Sequence, residues 1–553
     1  MKHTRREFLG SSAALGAQLL GAGALGAGAS ACASTPTGCD RWKVNGGVWQ
    51  DANRSNPGVN ARYRVRPEKL KDLVEIVQCA EKERIGVRMT GAGHSYSDVA
   101  FSSGFMLSPE RMGATLDVAE EQLSPVGRNK KLFRTEAGAS IRSLNSEMDC
   151  AGLAFKNLGG YNAQSIVGAA MTATHGSGLN YGPVSSAIAS IQLVASGGEV
   201  LQVEPRNGIT DPRKFPGYIE SHGDRIKARL VQDDVIFNAA SVSLGAAGLV
   251  YAVVLEVEPS YWLKETPKVT TWGAVKCSDG FIGRLLSGRE LAPVGPQPEY
   301  YEVSLNPYPA ITGGGPETHQ VLLQQRYKLE RQPWRSAQDR KRGKLGTEVD
   351  ALGTWALAKG KTIVEAVNRY PNLGPQFVTE SIKSRADISY INKSYEVFDI
   401  GPVNHMRVFG IEMSFDIKDT VRVAERFFEL AQEHQDQGMV HTTPCTLRFV
   451  KQASSNLAMM HSRDTVTLEI GTILGIRRAR DMLLHYERAF MQEFGARPHW
   501  GLDLNVLKSV ADVKALWGDA NVDQWLGVYR ELNRSGVFNA AVTDRLGISV
   551  PRS

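Results

Sequence analysis

The sequence predicts an α+β fold with two domains, because strand-like and helical patterns alternate along most of its length. Its 553 residues are 42% hydrophobic and 22% charged, an ordinary globular composition that allows two or more packed domains. Two glycine-rich turns, at residues 91–95 and 174–178, interrupt these patterns. We therefore expect short β-elements and helices to position these turns around a ligand.

The first domain is predicted over residues 55–260. Leu70, Leu73, Ile76, Val77 and Ala80 recur at helical spacing and predict a helix over 67–83 that buries one face. A strand over 87–90 then leads into the first glycine turn. Alternating or strongly apolar runs predict the following further elements: a helix over 140–151 and strands over 133–137, 188–195, 200–203 and 250–257.

The second domain is predicted over residues 261–520, where a strand-like run at 465–470 mixes with amphipathic helices over 421–433 and 479–493. The chain shows no internal repeat. Residues 521–553 form a C-terminal segment, with a glycine-punctuated stretch over 534–549, that we expect to pack back on the first domain.

Charge and cysteine content exclude several classes of protein. The six cysteines lack CxxC or His-paired spacing, so neither a metal site nor a disulfide scaffold is predicted, although individual pairs can form. The net charge is +6, and the densest basic run, residues 331–344, has a single interleaved aromatic residue. This pattern is typical of a solvated loop rather than a nucleic-acid surface.

The N-terminus predicts export by the twin-arginine route. Arg5 and Arg6 precede Phe-Leu and a Gly/Ala/Leu-rich stretch over 11–31, and residues 1–40 are interpreted as signal peptide and linker. The stretch is too rich in Gly and Ala for a transmembrane anchor, so no transmembrane helix is expected in the mature chain. Cleavage near Cys32 would give a periplasmic or secreted protein, and a lipid-anchored Cys32 is the alternative. This route carries folded proteins, so we expect a cofactor loaded before export.

The two glycine turns predict a pyrophosphate cradle. Glycines at both places let backbone N–H groups face an anion without help from side chains. The first turn lacks the third glycine and the acidic residue of the dinucleotide fingerprint, so a nicotinamide Rossmann domain is disfavoured.

The chain resembles the vanillyl-alcohol-oxidase-type (PCMH-type) FAD family, and within it the aldonolactone oxidase and alditol oxidase branch. The resemblance rests on the motifs GAGHSYSD at 91–98, TATHGSG at 172–178, TLRF at 446–449, ARPHWG at 496–501 and GVFN at 536–539. It implies a two-subdomain FAD-binding domain and an α+β cap domain that supplies the substrate pocket.

The resemblance also implies that FAD is held covalently through His94. Tethering prevents loss of the flavin after export and tends to raise its potential. His175 is interpreted as a cofactor contact or, equally, as a structural residue. The other residues that the resemblance places at the cofactor are Gly91, Ala92, Gly93, Ser95, Tyr96, Ser165, Gly168, Thr174, Gly176, Ser177 and Gly248.

Arg448 matches the arginine that the family places over the reacting carbon, where a guanidinium can stabilise developing negative charge. The chain departs from the branch at Thr446, where Glu is usual, and at Leu502, where Lys is usual. Glu469 stands where alditol oxidases have His and can supply a displaced carboxylate, or can be a surface residue. His499 can act as a base near neutral pH, or can be a satisfied core histidine.

These assignments imply a D-arabinono-1,4-lactone or L-gulono-1,4-lactone oxidase-like enzyme. It would oxidise an alcohol carbon of a sugar lactone, polyol or related small molecule by hydride transfer to flavin N5, with O2 as acceptor. One alternative is a dehydrogenase that passes electrons to an envelope cytochrome or quinone. Another is a flavin-binding protein with impaired catalysis. The expected partners are a small substrate, the electron acceptor and the twin-arginine export machinery, with no nucleic acid.

Overall fold

The computed structural model describes residues 38–52, 54–56, 58–329, 363–386, 389–400 and 407–553, which contain three β-sheets with helices packed on them. Residues 1–37, with the predicted export signal and Cys32, lie outside the described residues, as does the basic run at 331–344. The α+β class predicted from the sequence is confirmed. The predicted domain boundaries stay a prediction, since residues 38–553 pack as one unit.

The first sheet is small and carries the first glycine turn at the end of one strand. Its strands are β1 (Asn45–Trp49), β2 (Val59–Val65), β3 (Val87–Met89) and β4 (Phe105–Leu107), in the order β1-β2-β4-β3. Helix α1 (Leu70–Lys82) joins β2 to β3, and the five apolar residues that predicted it are all fully buried. Burying this stripe fixes the direction in which β3 delivers the chain to residues 90–95.

The second sheet contains both parallel and antiparallel strand pairs, and four helices lie between its strands in the chain. Its strands are β5 (Thr115–Leu116), β6 (Lys131–Glu136), β7 (Leu153–Ala154), β8 (Ile188–Val194), β9 (Val200–Glu204), β10 (Tyr218–Ser221), β11 (Asp224–Gln232) and β12 (Leu249–Pro259), in the order β10-β11-β9-β8-β12-β6-β5, with β7 also on β12. The helices are α2 (Pro125–Arg128), α3 (Ile141–Cys150), α4 (Ile166–Met171) and α5 (Asp234–Ser241). Ser140 and Asp233 cap α3 and α5 by accepting backbone N–H bonds, and Ser140 is also the residue at which the helix predicted over 140–151 begins.

The third sheet is antiparallel throughout its described pairings. Its strands are β13 (Trp262–Thr271), β14 (Tyr300–Pro309), β15 (His319–Leu329), β16 (Tyr390–Lys393), β17 (Val408–Asp416), β18 (Cys445–Val450), β19 (Thr465–Ile473) and β20 (Arg497–Pro498), in the order β16-β13-β15-β14-β18-β19-β17-β20. Its helices are α6 (Trp272–Lys276), α7 (Phe281–Leu286), α8 (Leu373–Lys383), α9 (Ser394–Phe398), α10 (Thr420–Asp436) and α11 (Ala479–Phe494), and residues 363–369 are also helical. Side chains of α10 and α11 and one face of β17, β18 and β19 form a continuous apolar core. The opposite faces of these strands are left for polar residues.

The C-terminal segment contains α12 (Val510–Trp517), α13 (Asp519–Leu532) and α14 (Ala541–Arg545). Val537 and Phe538 are buried in the same core as α1, and the Val87 N–H donates to the Val537 carbonyl at 2.8 Å. Arg545 pairs with Asp98, directly after the first glycine turn. The segment therefore contacts the strand and turn that form the cofactor cleft.

A disulfide joins Cys39 to Cys79 on α1, one of the individual pairs that the sequence left open. Cys150 and Cys277 are exposed free thiols and Cys445 is a buried one. Within the described ranges, no helix has the length and apolar character needed to cross a bilayer.

Candidate active site

The first glycine turn contacts the start of the second glycine segment, residues 165–178, which ends in the second turn. A Cβ on Gly91 would lie 2.0 Å from the Ser165 hydroxyl, so only glycine allows the first turn to approach α4 this closely. Ser165 caps α4 by accepting the Gly168 N–H at 3.2 Å. Gly93 has φ +74°, which turns the chain toward His94. The contact between Gly91 and Ser165 forms the floor of a narrow cleft.

The cleft extends from the end of the second sheet to the loop that follows β20. The predicted residues that line it are Gly91, Ala92, Gly93, His94, Ser95, Ser165, Gly168, Thr174, Gly248 and His499. The predicted residues that are not part of this lining are Tyr96, His175, Gly176, Ser177, Arg448 and Glu469. The wall is mostly backbone and small side chains, as expected where a flat ring system and a pyrophosphate are held by main-chain groups.

Arg88 gives the cleft wall an uncompensated positive charge. Its side chain is buried, one guanidinium nitrogen donates to the carbonyls of Val99 and Leu244, and the other terminal nitrogen lacks a partner among the described residues. No ion pair reaches it in the described part of the chain, and burial lowers the pKa of Arg88 to about 10. A bound anion would relieve this unfavourable burial. The cleft therefore fits an FAD pyrophosphate.

His94 is presented at the cleft as a neutral imidazole. The Tyr161 hydroxyl lies 2.9 and 3.0 Å from its two ring nitrogens, and the rings meet edge to face with centroids 4.6 Å apart. Burial lowers the pKa of His94 to about 4. Burial also raises the pKa of Tyr161, which keeps its hydroxyl protonated as a donor. A neutral imidazole retains a lone pair and can act as a nucleophile.

His175 lies behind the cleft and pairs with a carboxylate of the third sheet. Its Nδ1–H donates to the Gly176 carbonyl at 2.8 Å, and its Nε2 lies 3.2 Å from Glu412 Oε1. Burial lowers the pKa of His175, but the Glu412 carboxylate outweighs this and raises it above the usual value. The same interaction holds the pKa of Glu412 well below its usual range. The sequence left His175 open as a cofactor contact or a structural residue, and its pairing with Glu412 favours the structural role.

The second glycine segment is attached to β18 beside Arg448. The Gly178 N–H donates to the Phe449 carbonyl at 2.6 Å, and the Phe449 N–H donates to Ser177 Oγ at 3.0 Å. Ser177 Oγ in turn donates to the Tyr301 carbonyl on β14. Ser177 thus attaches the loop that carries it to two neighbouring strands of the third sheet.

Arg448 is surrounded by three carboxylates. Its Nε lies 3.3 Å from Glu302, one terminal nitrogen lies 3.7 Å from Glu412, and the same nitrogen donates to Glu469. These carboxylates raise the pKa of Arg448 above that of a free guanidinium despite burial. Burial opposes ionisation of Glu302, yet Arg326 and Arg448 lower its pKa to about 2. The arginine is therefore a permanent cation within a negative cluster.

His499 lies in the cleft as a hydrogen-bond donor rather than a free base. The Gly501 N–H donates to His499 Nδ1 at 2.9 Å, and burial lowers the pKa of His499 to about 4. A neutral ring that accepts at Nδ1 carries its proton on Nε2. Leu502, one of the two departures from the family, also lines this end of the cleft. The other, Thr446 on β18, is paired with Glu469 on β19 and lies 3.1 Å from the Ser304 hydroxyl.

The structure brings His94, His499 and the glycines of the first turn into one cleft, whereas the glycines of the second turn, Gly176 and Gly178, are not among the lining residues. His175 and Glu412 connect this region to Arg448, which pairs with Glu469. The sequence reasoning missed Arg88, Tyr161, Glu302 and Glu412. A charged residue inside an otherwise apolar strand, such as Glu302 or Glu412, could have indicated a buried ion pair, because such residues are rarely buried without a partner. No sequence pattern marked Tyr161 in this way.

Two family profiles match the chain. The family described as FAD binding domain matches residues 61–204, and the family described as D-arabinono-1,4-lactone oxidase matches residues 316–546. The first range contains both glycine turns, and the second contains Arg448, Glu469 and His499.

Curated relatives agree with these profiles. An L-gulono-1,4-lactone dehydrogenase of Mycobacterium tuberculosis is 25% identical over 448 residues, covering 79% of this chain and 85% of that protein. An L-gulonolactone oxidase of Mus musculus is 27% identical over 209 residues, 38% of this chain and 40% of that protein. A D-arabinono-1,4-lactone oxidase of Candida glabrata is 26% identical over 241 residues, 42% of this chain and 40% of that protein.

Solved structures share the fold. A solvent-stable cholesterol oxidase superposes with a TM-score of 0.64 at 15% identity, covering 91% of this chain and 97% of that chain. A cholesterol oxidase from B. sterolicum gives a TM-score of 0.64 at 13% identity, covering 91% of this chain and 96% of that chain. At these identities the likeness concerns the fold alone.

Proposed function

We propose that this chain, which belongs to the vanillyl-alcohol-oxidase-type FAD-dependent oxidoreductases, oxidises an alcohol carbon of a sugar lactone or polyol beside Arg448. It is an FAD-dependent enzyme that acts on CH–OH groups. The single observation that carries the proposed site is the continuous series of contacts from the glycine cleft through His175 and Glu412 to Arg448.

The residues that would hold FAD are the small ones of both glycine segments, with Arg88 beside the pyrophosphate and His94 at the ring end of the cleft. Bound FAD supplies the acceptor for a hydride from the alcohol carbon. The chain itself must position that carbon, exclude water and take the hydroxyl proton.

Charge balance and proton transfer are assigned to separate residues. Arg448 stabilises negative charge that develops on the substrate oxygen, because it remains charged at every relevant pH. Glu469 accepts the hydroxyl proton, since its side chain is 41% exposed at the edge of the cluster. His499 donates a hydrogen bond from Nε2 to the substrate, and this revises its interpretation as a base.

Covalent attachment through His94 is part of this proposal. It is supported by the neutral imidazole and by the Tyr161 contact, which orients the ring at the cleft. In a denaturing gel, the wild type is expected to keep a fluorescent flavin band that His94→Ala loses, whereas Tyr161→Phe should keep it with slower attachment. A flavin band that survives in His94→Ala would contradict the assignment.

The activity is tested by incubating the holoenzyme in air with a panel of aldonolactones, alditols and hydroxysteroids and measuring peroxide. Peroxide formed in step with substrate loss identifies an oxidase. Turnover that requires an added quinone or cytochrome identifies a dehydrogenase, a second possibility favoured by the mycobacterial relative described as a dehydrogenase. Failure of every compound in both assays would contradict the proposed function.

Export by the twin-arginine route to a periplasmic or secreted location, with or without a lipid on Cys32, is also proposed. The Cys39–Cys79 disulfide supports it, because disulfides persist in oxidising compartments. Replacing Arg5 and Arg6 together by Lys is expected to leave the protein in the cytoplasm, as measured by cell fractionation. Unchanged export in this variant would exclude the route.

A further inference from the structure

Glu412 on β17 lies where the third sheet meets the second glycine segment. Its carboxylate oxygen Oε1 lies 3.2 Å from His175 Nε2 in that segment and 3.7 Å from a terminal nitrogen of Arg448 on β18. Its backbone carbonyl accepts the His499 N–H at 2.9 Å. A single residue of the third sheet therefore contacts the glycine segment, Arg448 and a histidine that lines the cofactor cleft.

The contact between His175 and Glu412 is a buried ion pair. The two side chains are only 2% and 6% exposed. His175 Nδ1–H donates to the Gly176 carbonyl, so a second proton on Nε2, which faces Glu412, makes the ring a cation. Burial lowers the pKa of His175, but the Glu412 carboxylate outweighs burial and raises it above the usual value of 6.5. The ring is therefore charged because the carboxylate is there, and the attraction between them is little screened by water.

The other charges near Arg448 do not replace this link. The titratable groups around Glu412 and Arg448 in the described part of the chain include His175, His499, Glu302, Glu469, Arg326 and Arg385. Glu302, which also pairs with Arg326, and Glu469 hold Arg448 to β14 and β19, two strands of the same sheet. Glu412 instead connects Arg448 to the segment that places Thr174 in the cleft wall.

We propose that Glu412 is a positioning residue, which fixes the guanidinium of Arg448 relative to the cofactor cleft through its ion pair with His175. The inference rests on the proposed role of Arg448 in catalysis and adds the residue that sets its place. Glu412 is not among the residues that line the cleft, so it acts through Arg448. Such positioning has large effects on rate, since a displacement of about 1 Å can reduce turnover about a hundredfold.

Glu412→Gln keeps the shape of the side chain and removes its charge. The variant is expected to retain its flavin while kcat falls at least about tenfold and KM changes little, because the groups that touch the substrate remain. Burial of His175 is then no longer opposed, so its pKa should fall below 6.5. In the wild type, kcat should fall only as pH rises through the raised pKa of His175, and in Glu412→Gln this fall should move to lower pH. Glu429→Gln, the same change at a 60% exposed position on α10, should alter neither kcat nor its pH profile.

A double-mutant cycle separates positioning from a general loss of stability. His175→Gln removes the same ion pair from the other side, so it should lower kcat by a similar factor. The double variant should then be no slower than either single variant, because both changes remove one interaction. Factors that multiply in the double variant, or a Glu412→Gln enzyme with the kcat of the wild type, would overturn the inference.

The ion pair can also be measured without turnover, by NMR titration of the holoenzyme with isotope-labelled histidine. His175 should lose its proton above pH 6.5 in the wild type and below pH 6.5 in Glu412→Gln. A wild-type His175 that titrates below pH 6.5 would overturn the inference even if the enzyme is active. If no lactone or polyol is turned over while His175 titrates as expected, the proposed function fails but the ion pair between the glycine segment and the third sheet stands.

Discussion

At the residue scale, Arg448 decides the electrostatic balance of the site. It is the partner that three nearby carboxylates share, and removing it would leave them buried or half-buried with insufficient compensation. Losing one partner of a buried ion pair destabilises a protein by about 3–5 kcal/mol. Replacing Arg448 by Ala would therefore lower both stability and turnover. A substitution that keeps the positive charge separates the effect on turnover from the effect on stability.

Arg448→Lys is expected to keep the fold and the flavin while turnover falls at least about a hundredfold, on the order of 3 kcal/mol of transition-state stabilisation. Lysine keeps the positive charge but cannot meet the carboxylates and the substrate oxygen through one planar fork. The measurement is kcat, with the melting temperature and flavin content as controls. Turnover within a few-fold of the wild type would remove Arg448 from the mechanism.

Arg88 is a buried arginine with one unpartnered terminal nitrogen and no ion pair among the described residues. In the His94→Ala background, where flavin binding is reversible, Arg88→Met is expected to weaken FAD binding at least about tenfold while riboflavin, which lacks the pyrophosphate, binds as before. Fluorescence titration measures both. Equal weakening of both ligands would show that Arg88 only holds together the turns that contain Val99 and Leu244.

Single residues could be predicted where a short motif carried them. His94, Arg448 and His499 each lie in a dense local pattern, and their roles stay predictions. Glu302 and Glu412 were not found, because their partners lie more than a hundred and more than two hundred positions away in the chain, at Arg448 and His175 respectively. Strand pairing brings such residues together, and the register of the pairing cannot be predicted from the sequence of either strand alone.

At the element scale, α11 carries an ionisable carboxyl group, that of Glu487, into the core. Glu487 is fully buried, forms no ion pair with any described residue, and lies near Asp503 in the loop after the cleft residues His499 and Leu502. Burial, reinforced by the negative charge of Asp503, raises the pKa of Glu487 to about 8. The folded state therefore retains a proton that the unfolded chain releases.

Because the folded state holds this proton more tightly, the free energy of unfolding is expected to fall as pH rises. Below the unfolded pKa of 4.5, Glu487 is protonated in both states and contributes no difference. As pH rises from 4.5 toward 8, the unfolded state loses its proton first, so the free energy of unfolding falls, by up to about 5 kcal/mol. Glu487→Gln should remove this fall and stabilise the protein above pH 8, as measured by urea unfolding across pH. A stability difference that does not vary with pH would contradict the assignment, and the exposed Glu429→Gln serves as control.

Elements with strong hydrophobic periodicity were predicted closely. The helices expected over 67–83 and 421–433 are observed as α1 (Leu70–Lys82) and α10 (Thr420–Asp436), because each buries one continuous apolar stripe. The strand expected over 250–257 extends to Pro259, since β12 pairs with three other strands and continues beyond its apolar run.

At the scale of the whole molecule, contacts between distant segments hold the site together. The second glycine segment is attached to β18, the C-terminal segment contacts β3, and the Cys39–Cys79 disulfide fixes the N-terminal residues to α1. The sequence predicted the α+β class and the order of elements. It did not predict the three-sheet arrangement, because long-range pairing depends on tertiary packing rather than on local patterns.

The disulfide is expected to stabilise the mature protein by limiting its unfolded state. Its cysteines are 40 positions apart, and closing a loop of this length contributes about 4 kcal/mol in the chain-entropy description. Cys39→Ser should therefore lower the melting temperature, and adding a reductant should affect the wild type but not the variant. Equal melting temperatures with and without reductant in the wild type would show that the bond contributes nothing.

This flavoenzyme is proposed to take a hydride from an alcohol carbon of a sugar lactone or polyol beside Arg448. The most direct measurement is the visible absorbance of the bound flavin under strictly anaerobic conditions, on addition of L-gulono-1,4-lactone, other aldonolactones and alditols. At least one of these compounds is expected to bleach the wild-type flavin. A flavin that stays oxidised with every one of them would contradict the account.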